Sequence, residues 1–170
     1  MTKSAGATLT HDEAIAKLNE LIKDIGIAML TTVDTDGTLR SRPMATQKEK
    51  FDGTLWFFTA LGSPKTEEVR REEHVNLSYA DPENNRYVSV SGRSTVVRDR
   101  AKAEALWNPA YKAWFPDGFD DPNLALLRVD VDKAEYWDSP SSPVVHAIGF
   151  VKALATGQRY EGGENKKLNL

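Results

Sequence analysis

The stretch from residue 54 to residue 71 constrains the fold of this chain more than any other. It opens with Thr54–Thr59, whose residues have high strand propensity, and Gly62-Ser63-Pro64 then interrupts the pattern. Serine followed by proline is typical of a helix start, because serine caps the helix and proline suits its first position. The sequence therefore predicts a strand that runs directly into a helix, which ends near Glu72.

The start of this predicted helix is suited to binding an anion. The first turn of a helix offers unpaired backbone N–H groups and the positive end of the helix dipole. Lys65 adds a full charge, and the hydroxyls of Thr59 and Ser63 are nearby in sequence. Arg40 and Arg42 lie upstream, and a guanidinium can donate two hydrogen bonds to one phosphate. Phosphate is the anion that this set favours, although an ordinary capped helix beside surface arginines fits the same residues.

Turn signals and alternating apolar residues predict a mainly β chain. Asp36-Gly37 and Asp52-Gly53 are hairpin signals, and Thr10 with Glu13 has the form of a capping box. The predicted strands are 27–33, 40–48, 54–59, 75–79, 86–97 and 124–137, and the first, second and third are expected to form an antiparallel meander. The predicted helices are 11–24, the one that begins after Ser63, one capped by Asp99 that runs to about Trp107, and 144–156.

An aromatic segment follows the Asp99 helix. It contains Trp107, Tyr111, Trp114, Phe115 and Phe119. Such a cluster fits a small satellite core under a loop, and it also fits a substrate pocket or a dimer seam, where aromatic residues concentrate.

Composition and charge exclude several function classes. The 170 residues include 40% hydrophobic and 28% charged residues, with a formal net charge of −3, so we expect one soluble domain without a general attraction for nucleic acid. The chain has no cysteine, and its three histidines, His11, His74 and His146, are scattered, so we expect neither a thiol site nor a metal site. Because the chain also lacks a long apolar run and a basic leader, we expect no membrane span and a cytoplasmic location.

An ordered set of motifs resembles a known family. The set comprises Asp36-Gly37 through Ser41-Arg42-Pro43-Met44, Leu55–Thr59 with Ser63-Pro64-Lys65, 75–79, 87–92, 114–118 and Glu135-Tyr136-Trp137-Asp138. In this order the motifs resemble the FMN-binding split barrels related to pyridoxamine 5'-phosphate oxidase, within their bacterial general-stress-protein branch. The resemblance covers residues 12–156. It implies a mainly β fold with flanking helices, a six-stranded antiparallel split β-barrel that binds FMN.

The composition of the two termini and the capping box at Thr10 predict the domain limits, and the resemblance implies the assembly. Residues 11–156 would form the split-barrel domain, with a flexible N-terminus over 1–10 and a flexible C-terminal tail over 157–170. Two subunits would form a homodimer with the flavin between them. FMN is the implied cofactor, and FAD stays open as an alternative.

The resemblance also assigns the cofactor-binding residues. Arg42 and Lys65 would contact the FMN phosphate, and Thr59 and Ser63 would donate hydrogen bonds to it. The remaining members of the implied site are Pro43 and Met44 along the flavin ring, Gln47 and Phe58 near the ring, Pro64 in the phosphate motif, and Trp137 from the partner subunit. No residue is assigned as a catalytic acid or base.

Two departures from the oxidase pattern separate the alternatives for function. The oxidase's tyrosine, arginine and serine for substrate phosphate are missing after Gly92, and its arginine and histidine pair is missing after Trp137. We therefore expect a flavoprotein that is not a vitamin B6 oxidase. It is either an oxidoreductase on a small substrate or a protein that binds or senses flavin without turnover. A deazaflavin or haem barrel is less favoured, because no haem-ligand context is present.

Overall fold

The computed structural model describes residues 9–139, 143–157 and 163–170, and it describes only the backbone over 143–149. The helices are α1 (His11–Ile22), α2 (Pro64–Arg71), α3 (Arg100–Leu106) and α4 (Pro143–Thr156). The strands are β1 (Ile27–Val33), β2 (Leu39–Ala45), β3 (Thr54–Ala60), β4 (His74–Asp81), β5 (Arg86–Val97), β6 (Leu124–Asp138) and β7 (Glu164–Asn169). The predicted helices and strands therefore form close to their expected limits. The predicted flexible N-terminus falls almost entirely outside the described residues.

The strands form one curled antiparallel sheet in the order β2-β1-β4-β5-β6-β3. These six strands and their flanking helices confirm the predicted split β-barrel. The long strand β6 pairs with β5 along one edge, and along its other edge it pairs first with β3 and then with β7. Among the described residues, no helix is both long enough and apolar enough to cross a membrane.

Local sequence signals account for the ends of several elements. Thr10 and Glu13 form the predicted capping box at the start of α1. Gly37 has a φ of 83° in the turn between β1 and β2, a conformation that favours glycine. At Gly92 the register of β5 against β6 shifts, and an added Cβ would come within 2.3 Å of the carbonyl oxygen of Asp130. This close approach leaves no space for a side chain at Gly92.

The pairing of β3 corrects one expectation. The meander prediction placed β3 beside β2, but β3 pairs with β6, from Thr54 opposite Asp130 to Ala60 opposite Leu124. The turn at Asp52-Gly53 is local, whereas the choice of strand partner depends on residues about 70 positions further along the chain. This pairing closes the curl of the sheet.

The C-terminal segment differs from the expected flexible tail. Glu164–Asn169 form β7, which pairs with β6 from Lys133 opposite Asn169 to Asp138 opposite Glu164. Leu168 is only 3% exposed and belongs to the main core. The last strand thus covers one end of the hydrophobic core, while residues 158–162 of the predicted tail lie outside the described residues.

The core has two parts. The main cluster lies inside the curled sheet under α1 and includes Leu18, Leu30, Phe57, Leu77 and Tyr136. A second cluster lies under the segment from α3 to residue 119 and is built from Ala103, Phe115, Leu124 and Leu126, with Phe58, Trp107 and Tyr111 packed against it. The aromatic segment therefore contains a satellite core, while Trp114 is 71% exposed.

Candidate functional site

The junction between β3 and α2, residues 59–66, is the place where the sequence predicted an anion site, and we call it the cradle. Ser63 has the extended backbone of an N-cap residue and Pro64 is at the first helical position, as expected. The Ser63 side chain does not cap the helix. Its hydroxyl lies 3.4 Å from the Thr59 hydroxyl, and Thr66 instead donates to the carbonyl oxygens of Leu61 and Ser63 at 2.7 Å.

Most polar groups of the first helical turn already have partners. The backbone N–H of Ser63 donates to Ala60, and that of Thr66 donates to Ser63. Pro64 has no N–H. Lys65 is the exception, because neither its backbone N–H nor its ammonium has a hydrogen-bond or ion-pair partner in the described part of the chain. Lys65 thus presents two donors in one turn.

The environment of Lys65 disfavours its positive charge. Its side chain is partly buried. Burial, and then the charge of Arg42, lowers the pKa of Lys65 below its ordinary value of 10.5, while the carboxylate of Glu68 acts in the opposite direction. A cation that is partly desolvated and lies near a second cation is stabilised by an anion that lies between them.

Arg42 lies on β2 and is held by a buried carboxylate. Its Nη2 donates to Oε2 of Glu68 at 2.7 Å, and its Nη1 donates to the hydroxyl of Thr32, which in turn donates to Glu68. Arg40 donates to the other oxygen of Glu68 at 3.1 Å and also to Asp34 at 3.3 Å. One glutamate of α2 therefore bonds two arginines of β2.

The sequence reasoning missed Glu68. It is 3% exposed, and burial alone would raise its pKa, but hydrogen bonds from Thr32 and Arg42 together with the charges of both arginines lower the pKa below 4.5. The glutamate is therefore ionised at neutral pH. A signal was available, since Arg40, Arg42 and Lys65 are three cations for which a nearby acid is expected.

Pro43 and Met44 point in opposite directions. Met44 is 6% exposed and packs in the main core, whereas the Pro43 side chain is on the exposed face of β2. Only the backbone of Met44 is thus accessible to a ligand. Because β2 is at the edge of the sheet, its backbone groups away from β1 have no strand partner among the described residues.

Gln47 and Phe58 meet through Tyr111. The Tyr111 hydroxyl donates to Oε1 of Gln47 at 3.3 Å, and the Tyr111 ring lies 4.7 Å from that of Phe58. The amide nitrogen of Gln47 donates to the carbonyl oxygen of Ala45 at 3.2 Å. These two expected ring neighbours are therefore positioned by the aromatic segment.

Trp137 lies on the outer face of the sheet and not at the cradle. It is opposite Tyr87 on β5, and both side chains are about two-fifths exposed. Ala80 of β4 lies opposite Tyr87 of β5, and Ile27 of β1 lies opposite Ala45 of β2. Since Ala28 is paired with Tyr79, the next residues along these two strands, Ile27 and Ala80, are also neighbours. An apolar row of Ala45, Ile27, Ala80, Tyr87 and Trp137 thus crosses five strands on the exposed face.

The curled antiparallel sheet with its flanking helices defines this chain as a split-barrel protein. A family model described as "Pyridoxamine 5'-phosphate oxidase like" matches residues 13–161. The chain belongs to this family, as its motifs predicted.

The chain is more than 30% identical to a curated protein and to a protein of solved structure. Protein bli-3 of Neurospora crassa is 31% identical over 157 residues, which cover 86% of this chain and 75% of that protein. A crystal structure of the general stress FMN/FAD binding protein from Xanthomonas citri is 32% identical, covers 78% of this chain and 93% of its own, and superposes with a TM-score of 0.64. The General Stress Protein 26 of Bacillus anthracis, at 24% identity, 72% and 92% coverage and a TM-score of 0.64, supports the fold alone.

Proposed function

We propose that this chain binds FMN, with its phosphate at the cradle. The observation that carries the proposal is Lys65, whose ammonium and backbone N–H both lack partners in the described residues while its surroundings disfavour the charge. A phosphate there accepts from both groups and replaces the lost hydration of the ammonium. The hydroxyls of buried Thr59, at the end of β3, and of Ser63 lie 3.4 Å apart, so one donates to the other and the second O–H is left to donate to the phosphate.

Arg42 fits a second phosphate contact even though Glu68 holds it. Its two bonds, to Thr32 and to Glu68, leave other N–H groups of the guanidinium available. The side chain is 19% exposed, so these groups are within reach of a ligand. In this arrangement Glu68 fixes the orientation of Arg42, and Lys65 supplies a charge that makes no ion pair with a carboxylate of the described residues.

The other proposed contacts concern the flavin ring. The ring would lie along β2, against Pro43 and the backbone of Met44, with Gln47 and Phe58 beside it. Bound flavin supplies hydride and electron transfer, which none of the side chains named here supplies. The chain's own contribution is to bind the phosphate, to hold Gln47 through Tyr111 and to shield the ring with Phe58.

We propose further that two subunits associate through the outer face of the sheet. Ile27, Met29, Tyr87 and Trp137 are between 39% and 53% exposed there, and Pro43 lies opposite Met29 on the same face. Exposed apolar side chains in a continuous row are typical of a covered interface. This face would bring the partner's Trp137 toward the flavin. Sedimentation of Ile27→Glu tests the proposal, because a charge in this row is expected to give monomers, whereas an unchanged oligomer contradicts the proposal.

An absorption spectrum and a titration test flavin binding. We expect apoprotein to quench FMN fluorescence at one site per subunit and to give the absorption bands of bound flavin. Riboflavin, which lacks the phosphate, is the matched control and should bind more weakly by at least about tenfold, the value of one charge-assisted hydrogen bond. Equal affinity for FMN and riboflavin would place the phosphate elsewhere.

Two functions remain for the bound flavin. The first is an oxidoreductase that acts on a small molecule other than pyridoxamine phosphate. The second is a flavin-binding or flavin-sensing protein without turnover, which is favoured by Gln47, since the residue expected near the ring is a neutral amide already bonded to Tyr111. The rate of NAD(P)H oxidation by the FMN-loaded protein in air distinguishes these two functions. A rate no greater than that of free FMN would rule out the oxidoreductase function.

A further inference from the structure

An open cleft of about 460 Å³ lies beside the cradle. Asp34 and Arg40, from the turn between β1 and β2 and from β2, line one side of it. Pro64, Glu67, Arg70 and Arg71, from α2, line the other side. None of these residues except Pro64 belongs to the proposed FMN site.

The cleft and the cradle are joined through two residues. Pro64 lines the cleft and directly precedes Lys65. Glu68 also lines the cleft, and it bonds Arg40 of the cleft with one oxygen and Arg42, the second proposed phosphate contact, with the other. The cleft follows α2 from Pro64 to Arg71, a length of about 10 Å at the rise of an α-helix. A ligand held at Lys65 by one phosphate can therefore extend into the cleft.

The charges in the cleft are nearly balanced, which favours a nucleoside over a second free phosphate. Arg40 is paired with Asp34 at 3.3 Å and with Glu68 at 3.1 Å, and Arg70 is paired with Glu67. Among the described residues only Arg71 of the three arginines has no carboxylate partner, and it donates to the carbonyl oxygen of Val33 at 3.3 Å. Carboxylates accept hydrogen bonds from ribose hydroxyls, and a guanidinium plane stacks on an aromatic base.

We propose that this cleft binds the adenosine half of FAD while the cradle binds the pyrophosphate. The proposal rests on the flavin site proposed above and adds a residue set that lets the chain accept the dinucleotide. Glu67 is the acceptor for the ribose hydroxyls, since it is exposed and lines the cleft. Arg71 lies under the adenine, because its guanidinium is not held by a carboxylate.

Calorimetric titration of the apoprotein with FMN and with FAD tests the cleft. We expect FAD to bind at least as tightly as FMN. Arg71→Ala should weaken FAD binding about two- to fivefold, the value of an exposed stacking contact of a guanidinium, and should leave FMN binding within about twofold. Glu67→Gln should likewise weaken FAD alone. Arg100→Ala, on the exposed surface of α3, is the matched control and should change neither affinity.

The outcomes separate this proposal from the one on which it rests. If the wild-type chain binds neither flavin, the flavin site itself is wrong. If it binds FMN normally but FAD more than about tenfold more weakly, the cleft does not hold adenosine. Equal effects of Arg71→Ala and Arg100→Ala on FAD also overturn the proposal. Unchanged FMN binding by each variant shows that the variant is folded.

Discussion

Replacement of Lys65 by methionine tests the cradle most directly, because this lysine makes no ion pair in the described residues that its loss would break. Methionine keeps an unbranched apolar stem that is one atom shorter, and it removes the ammonium group with its charge and its N–H donors. The backbone N–H of residue 65 remains, so binding should weaken without being abolished. Loss of one charge-assisted hydrogen bond of about 1.5–3 kcal/mol corresponds to an FMN dissociation constant about 10 to 150 times larger.

Although Lys65→Met should weaken FMN binding, it should not destabilise the apoprotein. The lowered pKa of Lys65 means that the folded state disfavours its proton, so the charge destabilises the fold at all pH values below that pKa. Lys65→Met should therefore leave the free energy of unfolding unchanged or raise it. Arg42→Met is the contrasting variant, because it leaves buried Glu68 with Arg40 alone, and we expect it to cost about 2–4 kcal/mol, somewhat below the usual cost of breaking a buried pair.

Fluorescence titration with FMN and urea unfolding of the apoprotein measure the two quantities separately. Lys112→Met, an exposed lysine in the turn after α3, is the control and should change neither. FMN binding by the wild type should also weaken as the pH rises through the lowered pKa of Lys65, and this dependence should be absent in Lys65→Met. Wild-type affinity in Lys65→Met, or an apoprotein destabilised by more than about 1 kcal/mol, would refute the reasoning.

Three further predictions concern stability and can be measured by chemical unfolding. Because the pKa of Glu68 is lowered in the folded state, its ionised form stabilises the fold fully above the unfolded pKa of 4.5, and this stabilisation is lost as the pH falls through the folded pKa. Glu68→Gln should therefore make the free energy of unfolding depend less on pH in the acid range. The same pH dependence in the variant and the wild type would contradict the bonds assigned to Glu68. Leu168→Ala should lower the free energy of unfolding by about 2–4 kcal/mol, because Leu168 is buried in the core by the pairing of β7 with β6. Lys167→Ala, at an exposed position of the same strand, should change it by no more than about 0.5 kcal/mol. If neither variant changed the stability, the segment would be a free tail. Gly92→Ala should lower the free energy of unfolding by about 1–3 kcal/mol, because its Cβ would clash with the backbone of Asp130. An unchanged stability would show that β5 and β6 can move apart at this position.

The sequence was informative where a structural choice depends on adjacent residues. Asp36-Gly37 predicted the turn between β1 and β2, and Ser63-Pro64 predicted the start of α2, because both signals act through the local backbone. The alternation of Val88 and Val90 with serines predicted the buried face of β5. The ordered motifs then gave the family and the split barrel, which local signals alone do not specify.

The sequence was less informative where the choice depends on distant residues. The partner of β3 is β6, and only the closure of the whole sheet selects it. In β7 just one residue, Leu168, is buried, and the strand lies among lysines and follows two glycines, so its pattern is close to that of a tail. Glu68 was missed because an acid in a charged helix has no local mark of burial. Its role arises only when β1 and β2 place Thr32 and Arg42 beside α2.

In the proposed site, Arg42 contributes to the stability of the fold, whereas Lys65 is reserved for the ligand. Glu68 neutralises part of the charge of both arginines, so the fold is stable before any ligand is bound. An additional carboxylate at Lys65 would stabilise the apoprotein further, but it would compete with a phosphate for the same ammonium. A cation left partly buried and unpaired is a local cost that a fold retains where binding requires it. The proposed phosphate would remove that cost on binding. A ligand that binds only the folded state stabilises it, and well above its dissociation constant the stabilisation grows with the logarithm of the ligand concentration.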